Sequence, residues 1–138
     1  MSKRRSNSHI WDRDPNDWYL EPPWVSQRLS DVERFDRDSA ILEPSCGTGR
    51  VADAAKAAGY RVLAADLIDR GYPGCKIQDF LTRKSAPASV VGNPPFGDVE
   101  AFARHAFAIG TNKVALVFPV PCLNAAASWL RELQLRRV

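Results

Sequence analysis

Ala40-Ile41-Leu42-Glu43-Pro44-Ser45-Cys46-Gly47-Thr48-Gly49-Arg50 is the stretch that decides the fold. A short apolar run, residues 40–42, reads as a strand. A glycine-rich turn follows, and Arg50 to Ala58 reads as a helix that Gly59 ends in the left-handed C′ position. Strand, glycine turn and helix in that order form the opening of an α/β unit. Outward from it the alternation continues. Residues 60–65 form a second strand, 75–77 a weak third and 89–91 a fourth. Asp98 caps a helix to about Ile109, with Val99, Phe102, Ala106 and Ile109 on one face and Gly110 closing it. Residues 114–118 form a fifth strand, Asn124 caps a last helix to about Leu133, and residues 135–138 begin like another strand. This pattern predicts a single doubly wound, mainly parallel sheet with crossover helices.

Upstream, residues 1–16 read as a basic, disordered arm, and residues 17–138 as the folded domain. The aromatic segment Asp17-Trp18-Tyr19-Leu20-Glu21-Pro22-Pro23-Trp24 leads into a helix from Trp24 to Phe35, with Val25, Leu29 and Val32 on one face. Its prolines suit a first helical turn. Three of the four tryptophans lie in residues 11–24, so this segment is expected to dock on the domain.

With 138 residues the chain is one domain, and 45% hydrophobic against 25% charged residues excludes a collagen-like or wholly disordered chain. No apolar run approaches the ~18 residues of a membrane span. The basic N-terminus has no apolar segment behind it, so a cytoplasmic protein is expected. The formal net charge of +3 sits at the ends: Lys3, Arg4, Arg5 and Arg13 at one, Arg131, Arg136 and Arg137 at the other. Clustered cations of this kind allow a nucleic-acid partner but also serve solubility alone. The three cysteines are far apart in sequence and the two histidines far from them, so no metal site is expected, and free thiols are.

Two features carry chemistry. In open α/β sheets ligands bind at the carboxyl ends of the strands. The glycine turn Glu43 to Gly49 stands there, and Asp66, ending the second strand 19 residues after Gly47, can accept ribose hydroxyls. Gly47-Thr48-Gly49-Arg50-Val51-Ala52 also fits a dinucleotide fingerprint. Glu43 turns the reading away from it: a carboxylate beside the glycines repels a pyrophosphate and suits the amino group and sulfonium of S-adenosylmethionine.

The second feature, Asn93-Pro94-Pro95-Phe96, follows the fourth strand on the same edge. An exocyclic amine or amide nitrogen is a poor nucleophile, because its lone pair is delocalised. The Asn93 side-chain carbonyl and the rigid Pro94 backbone carbonyl can accept its N–H groups and draw it toward a tetrahedral shape. Phe96 offers a face for stacking.

With these motifs the chain resembles the class I S-adenosylmethionine-dependent amino-methyltransferases, and is most similar to DNA adenine-N6 methyltransferases. The family's first motif matches Glu43-Pro44-Ser45-Cys46-Gly47-Thr48-Gly49 and its catalytic tetrapeptide matches Asn93-Pro94-Pro95-Phe96. Its ribose acid falls on Asp66, and an acid and apolar residue beside the cofactor adenine on Asp79 and Phe80. A motif at the methionine end looks like Glu21-Pro22-Pro23-Trp24, with Glu21 where threonine is common. The resemblance covers about residues 17–133. It implies a Rossmann-like fold, S-adenosylmethionine as cofactor, no metal, and methyl transfer to a flipped adenine in DNA.

Other readings share or lack the chemistry. A guanine amine in ribosomal RNA or a glutamine amide in protein is an alternative acceptor. A cofactor-binding remnant or partner subunit without turnover is another, and a nicotinamide-dependent oxidoreductase a third, which leaves Asn93 to Phe96 unexplained. The family's sheet continues beyond the fifth strand through a hairpin, so the domain is expected to be truncated or completed by a partner.

Overall fold

The computed structural model describes residues 19–123 and 128–137. The basic arm, Trp18, the Asn124 cap and Val138 lie outside the described residues.

The elements run α1 (Pro23–Val32), β1 (Ile41–Glu43), α2 (Arg50–Ala57), β2 (Val62–Asp66), β3 (Lys76–Ile77), β4 (Ser89–Gly92), α3 (Val99–Ala108), β5 (Lys113–Leu116) and α4 (Trp129–Glu132). Short 3-10 turns at Phe80–Thr82, Phe96–Asp98 and Val120–Leu123 punctuate them. The sheet has the order β3-β2-β1-β4-β5, and every pairing is parallel. The chain thus winds outward from β1 to one edge, returns, and winds to the other. The reversal between β1 and β4 opens a crevice at their carboxyl ends.

The apolar alternation of β1 and β4 supplies both faces. Ile41 and Val91 pack with Phe35, Val51, Ala55 and Tyr60 under α1 and α2. Leu42 and Val90 pack with Phe80, Phe102 and Ala106 under α3. Each fully buried Ile, Leu or Val stabilises by roughly 1.5–3 kcal/mol. A third cluster sets Trp129 of α4 against Val99 and Ala103. Tyr60 locks the α1–β1 connection, its hydroxyl accepting from the Phe35 N–H at 3.2 Å while Arg37 lies over its ring.

Several expectations shift. The first helix starts one residue earlier and ends at Val32, because Glu33 is extended. Pro22 and Pro23 occupy its N-cap and first positions. Asp98 precedes α3 but its side chain makes no capping bond, since the residue belongs to the preceding 3-10 turn. Residues 135–137 are not a strand. Trp24 does not dock: it is 65% exposed, and Tyr19 and Glu21 make the segment's contacts instead.

Candidate functional site

The glycine turn closes on itself at the end of β1. Gly47 and Gly49 have φ of 55° and 97°, in the region that favours glycine. The Gly49 N–H donates to the Cys46 carbonyl at 2.8 Å, and the Gly49 carbonyl accepts from the Asp53 N–H, starting α2. A Cβ on Gly49 would stand 2.0 Å from the Tyr72 ring. Tyr72 is held there by hydrogen bonds to Asp53 and Lys56. Asp66 secures the turn from β2: one carboxylate oxygen accepts from the Gly47 N–H at 2.8 Å and the other from the Ile68 N–H at 3.1 Å.

Beside the turn lies a small open cleft, lined by residues that include Tyr19, Glu21, Glu43, Ser45, Gly47, Arg50 and Asn93. Its polar lining is rich in acceptors. Glu43 is 1% exposed, and its Oε2 has no partner among the described residues; neither has the Ser45 Oγ. Burial, reinforced by the charge of Glu21, pushes the Glu43 carboxyl up to about 8. Glu21, Glu43 and Ser45 give this recess acceptors for a donor-rich group.

At the end of β4, Asn93 faces the same cleft. Its Nδ2 donates to the Tyr19 carbonyl at 2.8 Å and to Glu21 Oε2 at 2.8 Å. Its Oδ1 is buried and without a partner among the described residues. Glu21 is itself fixed: Oε1 accepts from the Ser26 hydroxyl at 3.1 Å, and its backbone carbonyl accepts from the Arg50 guanidinium. Pro94 is fully buried. Pro95 accepts from the Asp98 N–H at 2.9 Å, which fixes the turn after the tetrapeptide. One face of Phe96 is covered by Tyr19, the rings 5.1 Å apart and 5° from parallel.

The structure therefore brings Glu21, Glu43, Ser45, Cys46, Gly47 and Asn93 to one cleft. Pro22 and Trp24 are exposed, and Pro44 is buried behind the turn. Asp79 is exposed, and its Oδ1 accepts from the Leu81 N–H as a cap of the 3-10 turn. Phe80 is a core residue against Phe102 and His105. Sequence reasoning missed Tyr19, whose only signal was its place in the aromatic segment, and Arg50, which looked like an ordinary first helical residue. It also missed that Cys46 meets Cys75, with the sulfur atoms 3.2 Å apart.

No family model and no curated protein matches the chain. Among solved structures, a Pyrococcus horikoshii protein provisionally described as an RNA methyltransferase is similar, with a TM-score of 0.55 and 20% identity. The match covers 80% of this chain and 60% of that one, so the chain spans about three-fifths of the length of its structural neighbour. The likeness shows the fold. It is a Rossmann-like α/β fold built on one parallel sheet. Among the described residues, no helix is long and apolar enough to cross a membrane.

Proposed function

We propose that the chain is an S-adenosylmethionine-dependent amino-methyltransferase domain whose acceptor is the exocyclic amine of adenine in DNA. The observation that carries the reading is the Asn93 amide. Its nitrogen is committed to two acceptors, and its buried oxygen has no partner among the described residues beside the cleft that Glu21 and Glu43 line. An unsatisfied buried acceptor costs free energy unless something donates to it.

S-adenosylmethionine, when bound, supplies a methyl group on a positively charged sulfur. Glu43, Ser45 and the Gly47–Gly49 turn would hold its methionine end, since the acceptor-rich lining fits an ammonium and a sulfonium. The nicotinamide alternative leaves Asn93 to Phe96 without a role, which disfavours it. Asp66, Asp79 and Phe80 are the residues that the family resemblance implies for the ribose and adenine. Asn93 Oδ1 and the Pro94 carbonyl accept the N–H groups of the acceptor amine and localise its lone pair. The Asn93 amide is held beforehand by its bonds to Tyr19 and Glu21, so its dipole needs no reorganisation during reaction. Phe96 supplies the apolar ring against which a planar base can rest.

Two other readings each have an observation in their favour. The description of the structural neighbour favours RNA as the acceptor molecule. The Tyr19 ring on Phe96 favours a cofactor-binding subunit without turnover of its own.

The deciding assay follows labelled methyl groups into adenine-containing DNA, with ribosomal RNA and protein as competing acceptors. Asn93→Ala is expected to keep cofactor binding and lose ~10²–10³ in rate, the typical effect of removing one preorganised polar partner. Full activity in that variant would remove Asn93 from the mechanism. Label entering only RNA or protein would refute DNA as acceptor. Cofactor binding without any transfer would leave the subunit reading.

A further inference from the structure

An amide side chain has two ends of similar shape and opposite chemistry, and its usefulness as an acceptor depends on which end is presented. In Asn93 both protons of Nδ2 are spoken for, one by the Tyr19 backbone carbonyl and one by Glu21 Oε2. Rotating the amide by half a turn would set Oδ1 against a carbonyl oxygen and a carboxylate, three acceptors with no proton between them. The carboxylate is the stricter of the two partners. An ionised carboxylate accepts only, and its hydrogen bonds to N–H are stronger than neutral ones.

Glu21 has little freedom to give way. It is buried, it receives the Ser26 hydroxyl on its other oxygen, and its backbone is tied to Arg50 of α2. The adjoining Pro22 and Pro23 fix the entry into α1. From these contacts we infer that Glu21 is a positioning residue: it holds the Asn93 amide so that Oδ1 is the end offered to the acceptor nitrogen. The inference rests on the amino-methyltransferase reading. It gives Glu21 a task distinct from holding the cofactor.

The test uses the full chain, isotope-labelled with ¹⁵N. The Asn93 amide protons are identified by their loss in Asn93→Asp, and Glu21→Gln and Glu21→Leu are compared with the parent. Glutamine keeps an acceptor oxygen toward Nδ2 and can donate to the Ser26 hydroxyl; leucine offers neither. S-adenosylmethionine affinity is expected to be unchanged in both variants. Exchange of one Asn93 amide proton with solvent is expected to quicken in Glu21→Leu and to stay slow in Glu21→Gln. Methyl transfer to adenine-containing DNA is expected to fall about 10²-fold in kcat, at constant KM, in Glu21→Leu. Glu21→Gln is expected to restore it.

Loss of S-adenosylmethionine binding in Glu21→Leu would overturn the inference and make Glu21 a cofactor ligand. Unchanged exchange of both Asn93 protons would overturn it as well. If Glu21→Leu does not fold, Glu21→Asp takes its place, because it withdraws the carboxylate by one methylene. If the parent transfers no methyl to DNA, the proposed function fails on that result, and the proton exchange still decides whether Glu21 orients Asn93.

Discussion

The ring of Tyr19 lies parallel on that of Phe96, 5.1 Å away and 5° from coplanar. A base that stacks on this face of Phe96 must displace Tyr19. Tyr19→Leu is therefore expected to tighten binding of an adenine-containing single-stranded oligonucleotide. The gain is up to the roughly 1–3 kcal/mol of a base–aromatic stack. Fluorescence titration reads it, and weaker binding would instead make Tyr19 part of the platform.

Glu43 makes stability fall as pH rises. Its ordinary value is 4.5, and burial together with the Glu21 charge raises it to about 8 in the folded chain. Between those values the unfolded chain gives up a proton that the folded chain keeps. Stability from this group is thus full below about 4.5 and is lost as pH rises through about 8. The slope approaches about 1.4 kcal/mol per pH unit in that window. Urea unfolding at several pH values measures it, and Glu43→Gln is expected to flatten the dependence.

Gly49→Ala is expected to cost more than Gly71→Ala. Both residues have positive φ, of 97° and 85°, so both substitutions bring backbone strain of roughly 1–3 kcal/mol. A Cβ at Gly71 meets nothing within 4 Å among the described residues, whereas at Gly49 it enters the Tyr72 ring. Adding Tyr72→Ala to Gly49→Ala is expected to recover part of the loss in urea unfolding. Equal costs for the two glycines would argue against a fixed Tyr72.

Cys46 is expected to resist alkylation in the native chain. It is buried, and burial with its contact to Cys75 pushes its thiol up, which removes the reactive thiolate at neutral pH. Cys75 is half-exposed and is expected to react first. Mass spectrometry after brief iodoacetamide treatment separates the two. Early labelling of Cys46 would show the turn opening in solution.

The legible parts of the molecule were those with a local physical cause. Gly47 and Gly49 announced their turn because few other residues adopt their backbone angles. The short apolar runs Ala40-Ile41-Leu42 and Val90-Val91 announced buried strands, and their alternation with helices gave the parallel winding. Glu43, Asp66 and Asn93 stood out as polar residues at strand ends. What stayed hidden depends on residues distant in the chain. Nothing local marks Tyr19 for Phe96, or Cys46 for Cys75, because those pairs exist only once the strands are side by side. Helix boundaries and the Asp98 cap slipped because tertiary contacts, not intrinsic preference, decide where a helix turn gives way to a 3-10 turn.

The bonds from Asn93 to Tyr19 and Glu21 join residues 74 and 72 positions apart. During synthesis the N-terminal half of the site emerges first and waits without its partner until β4 has been made. Contacts of such long range form only after the entropy of closing the intervening chain has been overcome. The cleft is thus a late product of folding. A nascent or half-folded chain has the motifs but not the site, and competence arrives together with the finished sheet.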